Sequence, residues 1–155
     1  MIDTPPESRL SPPYKHVGTI FGVLDIRHDP REVSRAREWI TRRINETITF
    51  PLCIARDGVE NIELCASEVI SNALIHADGG QPNNTITIVM IYTVWIIRVE
   101  VIDPGSKLGH EPHIREIAPD SESGGRGLKI VDALSEKWGH YADSAGRTVW
   151  FEMEY

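Results

Sequence analysis

Two polar residues four positions apart on a predicted helix constrain this chain most. Glu68 and Asn72 lie in an amphipathic stretch from residue 57 to about residue 80, and His76 follows at the same interval. Residues at i, i+4 and i+8 share one helical face. An apolar stripe runs beside them and consists of Ile62, Ala66, Val69, Ala73 and Ala77. A solvated face would carry Lys and Glu, so this pattern predicts the wall of a pocket.

A second constraint is a carboxylate at the end of an apolar strand. Alternation places Ile97, Val99, Val101 and then Asp103 on one side of the chain. Burying a charged group is unfavourable unless it is paired or hydrogen-bonded. A ligand donor would satisfy the carboxylate, and Gly105 would let that ligand approach closely.

A third signal is the glycine-rich segment 124–127, which leads into a predicted helix from Gly127 to about Lys137. Glycine admits tight turns, and the free N–H groups at the start of a helix suit a phosphate. The segment therefore predicts an anion-binding turn. A Gly-rich helix start is common by itself, as is each of the other two signals.

In order and spacing together, the three signals resemble the N box, the Asp-x-Gly box and the Gly-x-Gly box of the Bergerat (GHKL) ATPase superfamily. The resemblance is strongest to stand-alone bacterial anti-sigma-factor serine/threonine kinases. It rests on the segments 125–128, 131–134, 138–139 and 146–151, and it covers residues 18 to 155.

The resemblance implies an adenine site around Asp103. Asp103 would accept a hydrogen bond from the adenine amino group, and Gly105 would make room for the base. Thr148 matches a position that often contacts the adenine region in this superfamily. An ordinary strand threonine is the equally weighted alternative for Thr148.

The resemblance also implies a site for the phosphates of ATP and for Mg²⁺. Asn72 would hold Mg²⁺, a hard ion that prefers oxygen ligands. Gly125 and Gly127 would offer backbone N–H groups to the phosphates. Glu68 would orient or deprotonate the attacking nucleophile. Arg126 would either reach a phosphate or merely cover the helix surface, and the sequence leaves both open.

Composition narrows the class of protein. The chain has 155 residues, which suits one domain, and its 16 Lys and Arg against 23 Asp and Glu give a formal charge of -7. Such a balance argues against binding nucleic acid through its phosphates. No apolar stretch is long and uninterrupted enough for a membrane span. Cys53 and Cys65 are expected to be reduced structural thiols in a cytoplasmic protein.

The order of elements predicts the fold. Residues 1–15 are rich in proline and are expected to be a disordered lead-in to an ATPase domain over residues 16–155. Strands are expected over 17–25, 83–92, 94–102, 138–143 and 147–155, and helices over 30–47, 57–80 and 127–137. Ser106 to Ser123 is expected to be a nucleotide lid. The result is a two-layer α/β sandwich, the Bergerat fold, with a mostly antiparallel mixed sheet and helices on one face.

The function that follows from the resemblance is regulatory. We expect an ATP-binding, Mg²⁺-dependent serine/threonine protein kinase that controls transcription by partner switching with a sigma factor or an anti-sigma antagonist. The alternative is a nucleotide-binding interaction module without catalysis, because a fold and a pocket do not establish turnover. Whether the chain forms a homodimer stays open.

Overall fold

The structure, a computed structural model, describes residues 18–47, 56–76, 85–104, 126–144 and 146–154. The elements in chain order are β1 (Thr19–Arg27), α1 (Glu32–Thr47), α2 (Arg56–His76), β2 (Thr85–Tyr92), β3 (Ile96–Asp103), α3 (Arg126–Leu134), β4 (Lys137–Asp143) and β5 (Gly146–Glu154). The strands form one sheet in the order β1-β2-β3-β5-β4. The predicted lead-in over residues 1–15 lies outside the described residues.

All four pairings between the described strands are antiparallel. Helices α1, α2 and α3 pack on the sheet through contacts with β1, β3, β5 and β4. The predicted α/β class is therefore confirmed, and the sheet is antiparallel in its described strands rather than mixed. Within the described residues, no helix is long and apolar enough to cross a membrane.

The core lies between the helices and one face of the sheet. On β3 the predicted apolar side is confirmed, because Ile97, Val99 and Val101 are buried together with residues of all three helices. On α2 the predicted stripe of small and apolar residues is buried where it is described, at Ile62, Ala66, Val69 and Ala73. Local periodicity therefore identified the packing faces of both elements.

The start of α1 is capped by Asp29. Asp29 accepts a hydrogen bond from the backbone N–H of Arg31 through Oδ1 (2.9 Å), as expected of an N-cap residue. Pro30 and Arg31 form a turn before the regular helix begins at Glu32. The two-residue difference from the predicted start is of the size usual at helix ends.

The end of α3 differs more. The helix was predicted to reach about Lys137, but it ends at Leu134, and Lys137 already belongs to β4. Ser135 donates its hydroxyl to the Val131 carbonyl oxygen (2.5 Å), and the N–H of Glu136 donates to the Glu152 carbonyl oxygen (2.9 Å). Hydrogen bonding to β5 therefore replaces helical hydrogen bonding at the residues where the apolar pattern predicted that the helix would continue.

Candidate functional site

Asp103 is the last residue of β3 and lies on the helix-facing side of that strand. Its side chain is only 2% exposed, and Oδ2 accepts from Nε (3.0 Å) and Nη2 (2.9 Å) of Arg147 on β5. The two residues are direct partners in the antiparallel register. The predicted buried carboxylate is therefore in place, and an arginine that the sequence reasoning did not select is bound to it.

Gly146 brings the start of β5 close to Asp103. It has a φ of 130°, a conformation that side-chain-bearing residues rarely adopt. A Cβ built there would overlap the Asp103 carbonyl oxygen and would lie 3.0 Å from the Pro104 carbonyl carbon. Only glycine therefore allows this approach of the two strands, and the approach puts Arg147 opposite Asp103.

A sequence signal for Arg147 does exist. On β5, Val149 packs against the core, and Phe151 and Met153 are buried in it. Extending this alternation back by two residues reaches Arg147, as the same extension on β3 reaches Asp103. The period of two thus placed both residues on the helix-facing side, but it did not show that they are partners.

Thr148 occupies a different position from Asp103. It is 2% exposed and pairs with Ile102 and Tyr141. Strand alternation assigns it to the opposite side of β5 from Arg147. Arg147, and not Thr148, is thus the β5 side chain that reaches Asp103.

Glu68 and Asn72 lie on α2, and both are partly buried. Glu68 contacts the first turn of α3, because a Cβ built on Gly127 would lie 2.5 Å from Glu68 Oε2 and 3.4 Å from Glu68 Cβ. The absence of a side chain at Gly127 is what admits the carboxylate there. The structure therefore joins the predicted catalytic acid to the predicted phosphate-binding turn.

The direction of α3 relates this contact to Asp103. The helix ends at Leu134 and β4 begins at Lys137, while Trp138 Nε1 donates to Asp132 Oδ1 (2.8 Å). The chain thus reverses, and α3 lies back along β4. Because β4 runs along β5 from Glu152 toward Arg147, this reversal directs the first turn of α3 toward the strand ends where Asp103 and Arg147 pair. Arg126, the first residue of α3, is exposed there.

Several predicted parts of the site lie outside the described residues. They are Gly105, Gly125 and the proposed lid from Ser106 to Ser123. Among the residues that the structure describes, no cluster of three or more His, Cys, Asp or Glu side chains could hold a metal ion. Asn72 offers an oxygen atom of the kind Mg²⁺ prefers, with phosphates and water completing such a site. Asn72 therefore fits Mg²⁺ held jointly with a nucleotide.

Cys65 is not a candidate for catalysis. Its side chain is fully enclosed in the core. Burial, assisted by the nearby negative charge of Glu68, raises the pKa of the thiol to about 12. A thiol that stays protonated in an apolar environment is unreactive, which agrees with a structural role.

Comparisons with known proteins bear on this arrangement. A family model described as "Histidine kinase-like ATPase domain" matches residues 26–153. The fold is similar to that of the RsbU and RsbW domains of a Mycobacterium tuberculosis protein (TM-score 0.58, 17% identity), over 85% of this chain and 32% of that one. It is also similar to the histidine kinase domain of a blue-light activated histidine kinase from Erythrobacter litoralis (TM-score 0.52, 18% identity), over 80% and 63% of the two chains.

No curated protein matches the chain. At these identities the two solved structures show a shared fold, and the chain spans less than two thirds of either of them. The family model covers most of the sequence, including Glu68, Asn72, Asp103 and Gly127. The chain therefore belongs to the histidine kinase-like ATPase family.

Proposed function

We propose that this chain is an ATP-dependent serine/threonine protein kinase that regulates transcription by partner switching. The observation that carries the proposal is the contact between Glu68 and Gly127, in a chain of the histidine kinase-like ATPase family. It joins a carboxylate on α2 to the glycine-rich first turn of α3. A nucleotide-binding module without catalysis has no need of an acid at that place.

The base of ATP is assigned to the end of β3. Asp103 is an ion-paired, buried carboxylate, and an ionised carboxylate only accepts hydrogen bonds. It suits the exocyclic amino group of adenine, which donates. Gly105 follows as the residue that makes room for the base, and Thr148 stays on the opposite side of β5 as part of the supporting sheet.

The phosphates are assigned to the start of α3. Free N–H groups at a helix start bind anions, which assigns Gly125 and Gly127 to the phosphates and makes exposed Arg126 a candidate cation for them. Asn72 would hold Mg²⁺ together with phosphate oxygens. When bound, Mg²⁺ neutralises the negative charge of the phosphates during transfer.

Glu68 supplies the chemistry that this chain itself performs. Its carboxylate accepts the proton of a serine or threonine hydroxyl on the partner protein. The hydroxyl oxygen then forms a bond to the γ-phosphorus, and the bond from that phosphorus to the β–γ bridging oxygen breaks, with ADP as the leaving group. The first turn of α3 holds the carboxylate beside the phosphate-binding segment.

The partner is proposed to be a sigma factor, an anti-sigma antagonist or both. The resemblance to anti-sigma-factor kinases supports this class of partner, and the chain shares its fold with part of the structure that contains RsbU and RsbW domains. The antagonist would carry the phosphorylated hydroxyl. We place this activity in the cytoplasm, where ATP and the transcription machinery meet, and the chain would act as a monomer or a homodimer.

Phosphoryl transfer from radiolabelled ATP to purified candidate antagonists tests the proposal. Glu68→Ala should keep nucleotide binding but lose transfer by about 10²–10⁴-fold, the usual cost of a lost general base. Asn72→Ala should also lose the Mg²⁺ dependence of binding. Glu60→Ala, at an exposed acid of the same helix, is the matched control and should transfer at the wild-type rate.

Two outcomes would contradict the proposal in different ways. Transfer at the wild-type rate by Glu68→Ala would remove Glu68 from catalysis. Absence of transfer by the wild type, with ATP still changing its affinity for the same antagonists, would identify a non-catalytic nucleotide switch.

A further inference from the structure

The geometry of the ion pair between Asp103 and Arg147 restricts the orientation of the carboxylate. Both contacts from Arg147, by Nε at 3.0 Å and Nη2 at 2.9 Å, are made to the single oxygen Oδ2. A guanidinium is rigid and planar, so two donors on one atom restrict how the carboxylate is turned. The Asp103 side chain is 2% exposed and that of Arg147 is 19% exposed, so water competes little for the contact.

The backbone reinforces the same contact. Arg147 follows Gly146, whose positive φ brings the strand against the carbonyl group of Asp103. Asp103 and Arg147 are also the last pair in the antiparallel register of β3 and β5. The position of Arg147 is therefore set by the start of β5, directly after Gly146, and its side chain reaches Asp103 on the neighbouring strand β3.

We propose that Arg147 is the positioning residue that gives this site its preference for a 6-aminopurine, by holding the Asp103 carboxylate in a fixed orientation. This inference rests on the proposed function, because it assigns the adenine base to Asp103. A charged carboxylate accepts from a 6-amino group and is repelled by the 6-oxo group of guanine. Arg147 acts through Asp103 and is not itself assigned to the base.

Other side chains near the site are less suited to this role. Thr148 lies on the opposite side of β5, and Arg126 is exposed at the start of α3, where it would meet phosphates. Arg147, by contrast, makes two contacts with the Asp103 carboxylate.

Calorimetric titration of the full chain with three nucleotides tests the inference. The ligands are ATP, GTP and purine riboside triphosphate, which lacks the 6-amino group, each with Mg²⁺. The wild type should bind ATP about 5- to 150-fold more tightly than purine riboside triphosphate, the range expected when a buried acceptor loses its donor. Arg147→Met should reduce this ratio to less than about 3-fold and should also narrow the gap between ATP and GTP.

The ratio of affinities separates positioning from a merely structural role. A structural defect would weaken all three nucleotides together and leave the ratio as it is. Arg43→Met is the matched control, since Arg43 is 22% exposed, donates from Nε to the Phe21 carbonyl oxygen (3.0 Å) and pairs with Glu46. It should keep the wild-type ratio.

Arg147→Lys is the second variant, in case Arg147→Met does not fold. It keeps the positive charge but replaces the planar fork with a point charge, and it should give an intermediate ratio. An unchanged ratio in any folded Arg147 variant overturns the inference while leaving the proposed function intact. Failure of the wild type to bind ATP overturns the adenine assignment itself, and the inference falls with it.

Discussion

β3 contributes to two buried groups of ion-paired residues, one centred on an arginine and the other on an aspartate. In the first, Arg98 donates from Nε to Glu100 (2.7 Å) and from Nη1 to Glu152 (2.8 Å), and its guanidinium carbon lies 3.8 Å from the Trp150 ring centroid. These residues alternate with the core positions of β3 and β5, so they occupy the side of the sheet away from the helices. A cation is enclosed there by two acids and an aromatic ring.

In the second group the central residue is Asp103, which lies on the side of the sheet that the helices cover. Asp103 is held by Arg147 at the end of β3, and Gly146 allows β3 and β5 to approach each other closely there. Removing an enclosed arginine leaves its acids as uncompensated buried charges, whereas a held carboxylate at the end of a core strand is suited to a ligand donor. The position of the carboxylate, rather than its burial alone, distinguishes a binding role from a structural one.

Removing the enclosed arginine should have the largest effect on stability. Arg98→Met leaves Glu100 and Glu152 without their cation, and breaking a buried pair in this way costs about 3–5 kcal/mol. Urea unfolding measures this free energy, and the folded fraction should keep the wild-type preference for ATP over GTP. A loss below about 1 kcal/mol, or a changed preference, would break the distinction between the two groups.

Gly127→Ala should affect transfer more than stability. The added Cβ would lie 2.5 Å from Glu68 Oε2, the mobile end of that side chain, so the carboxylate can move aside without a large backbone shift. A misplacement of about 1 Å can cost about 10²-fold in rate. Phosphoryl transfer and the melting temperature, measured on the same preparation, check this.

Gly18→Ala provides the opposite case for comparison. Its φ is 128°, and its added Cβ would lie 2.6 Å from Ile91 Cγ2, away from Glu68. It should lower stability and leave the transfer rate of the folded protein unchanged. Equal effects of the two glycine variants on transfer would argue against a positioning role for Gly127.

Asp103→Asn should weaken ATP binding by about 1–3 kcal/mol, the scale of a mispaired buried polar group. The amide replaces an acceptor with a mixed donor and acceptor, so discrimination against GTP should also fall. Its effect on unfolding should be smaller than that of Arg98→Met, because the orphaned Arg147 is 19% exposed and Glu100 is 1% exposed. Calorimetry with both nucleotides and urea unfolding check the order.

Asp29→Ala should have the smallest effect of the five substitutions, a small decrease in the melting temperature. Hydrogen bonds from the side chain and backbone of Arg31 lower the pKa of Asp29 to about 2, from an ordinary value of 3.8. Because the pKa of Asp29 is lowered in the folded state, its ionised carboxylate stabilises the fold above pH 3.8. This contribution is lost as the pH falls toward 2. The melting-temperature difference between wild type and variant should therefore shrink below pH 3.8, and added salt should reduce it at neutral pH.

Local patterns identified most of the elements and their faces. The helical interval of Glu68 and Asn72, and the alternation that leads to Asp103, depend only on neighbours along the chain. The end of α3 was predicted wrongly because the backbone N–H of Glu136 donates to the carbonyl oxygen of Glu152 on β5, and no local pattern contains that partner. Arg147 was missed for the same reason, since it lies 44 residues from Asp103.

The sequence by itself determined the α/β class, the buried sides of α2 and β3, and the family to which three short motifs point. Each depends on residues a few positions apart, where backbone geometry alone fixes which side chains share a face. Only the tertiary structure decided that Arg147 holds Asp103 and that Gly127 admits Glu68. Both contacts require the register between β3 and β5 or the packing of α3 on α2, which are set by the whole core.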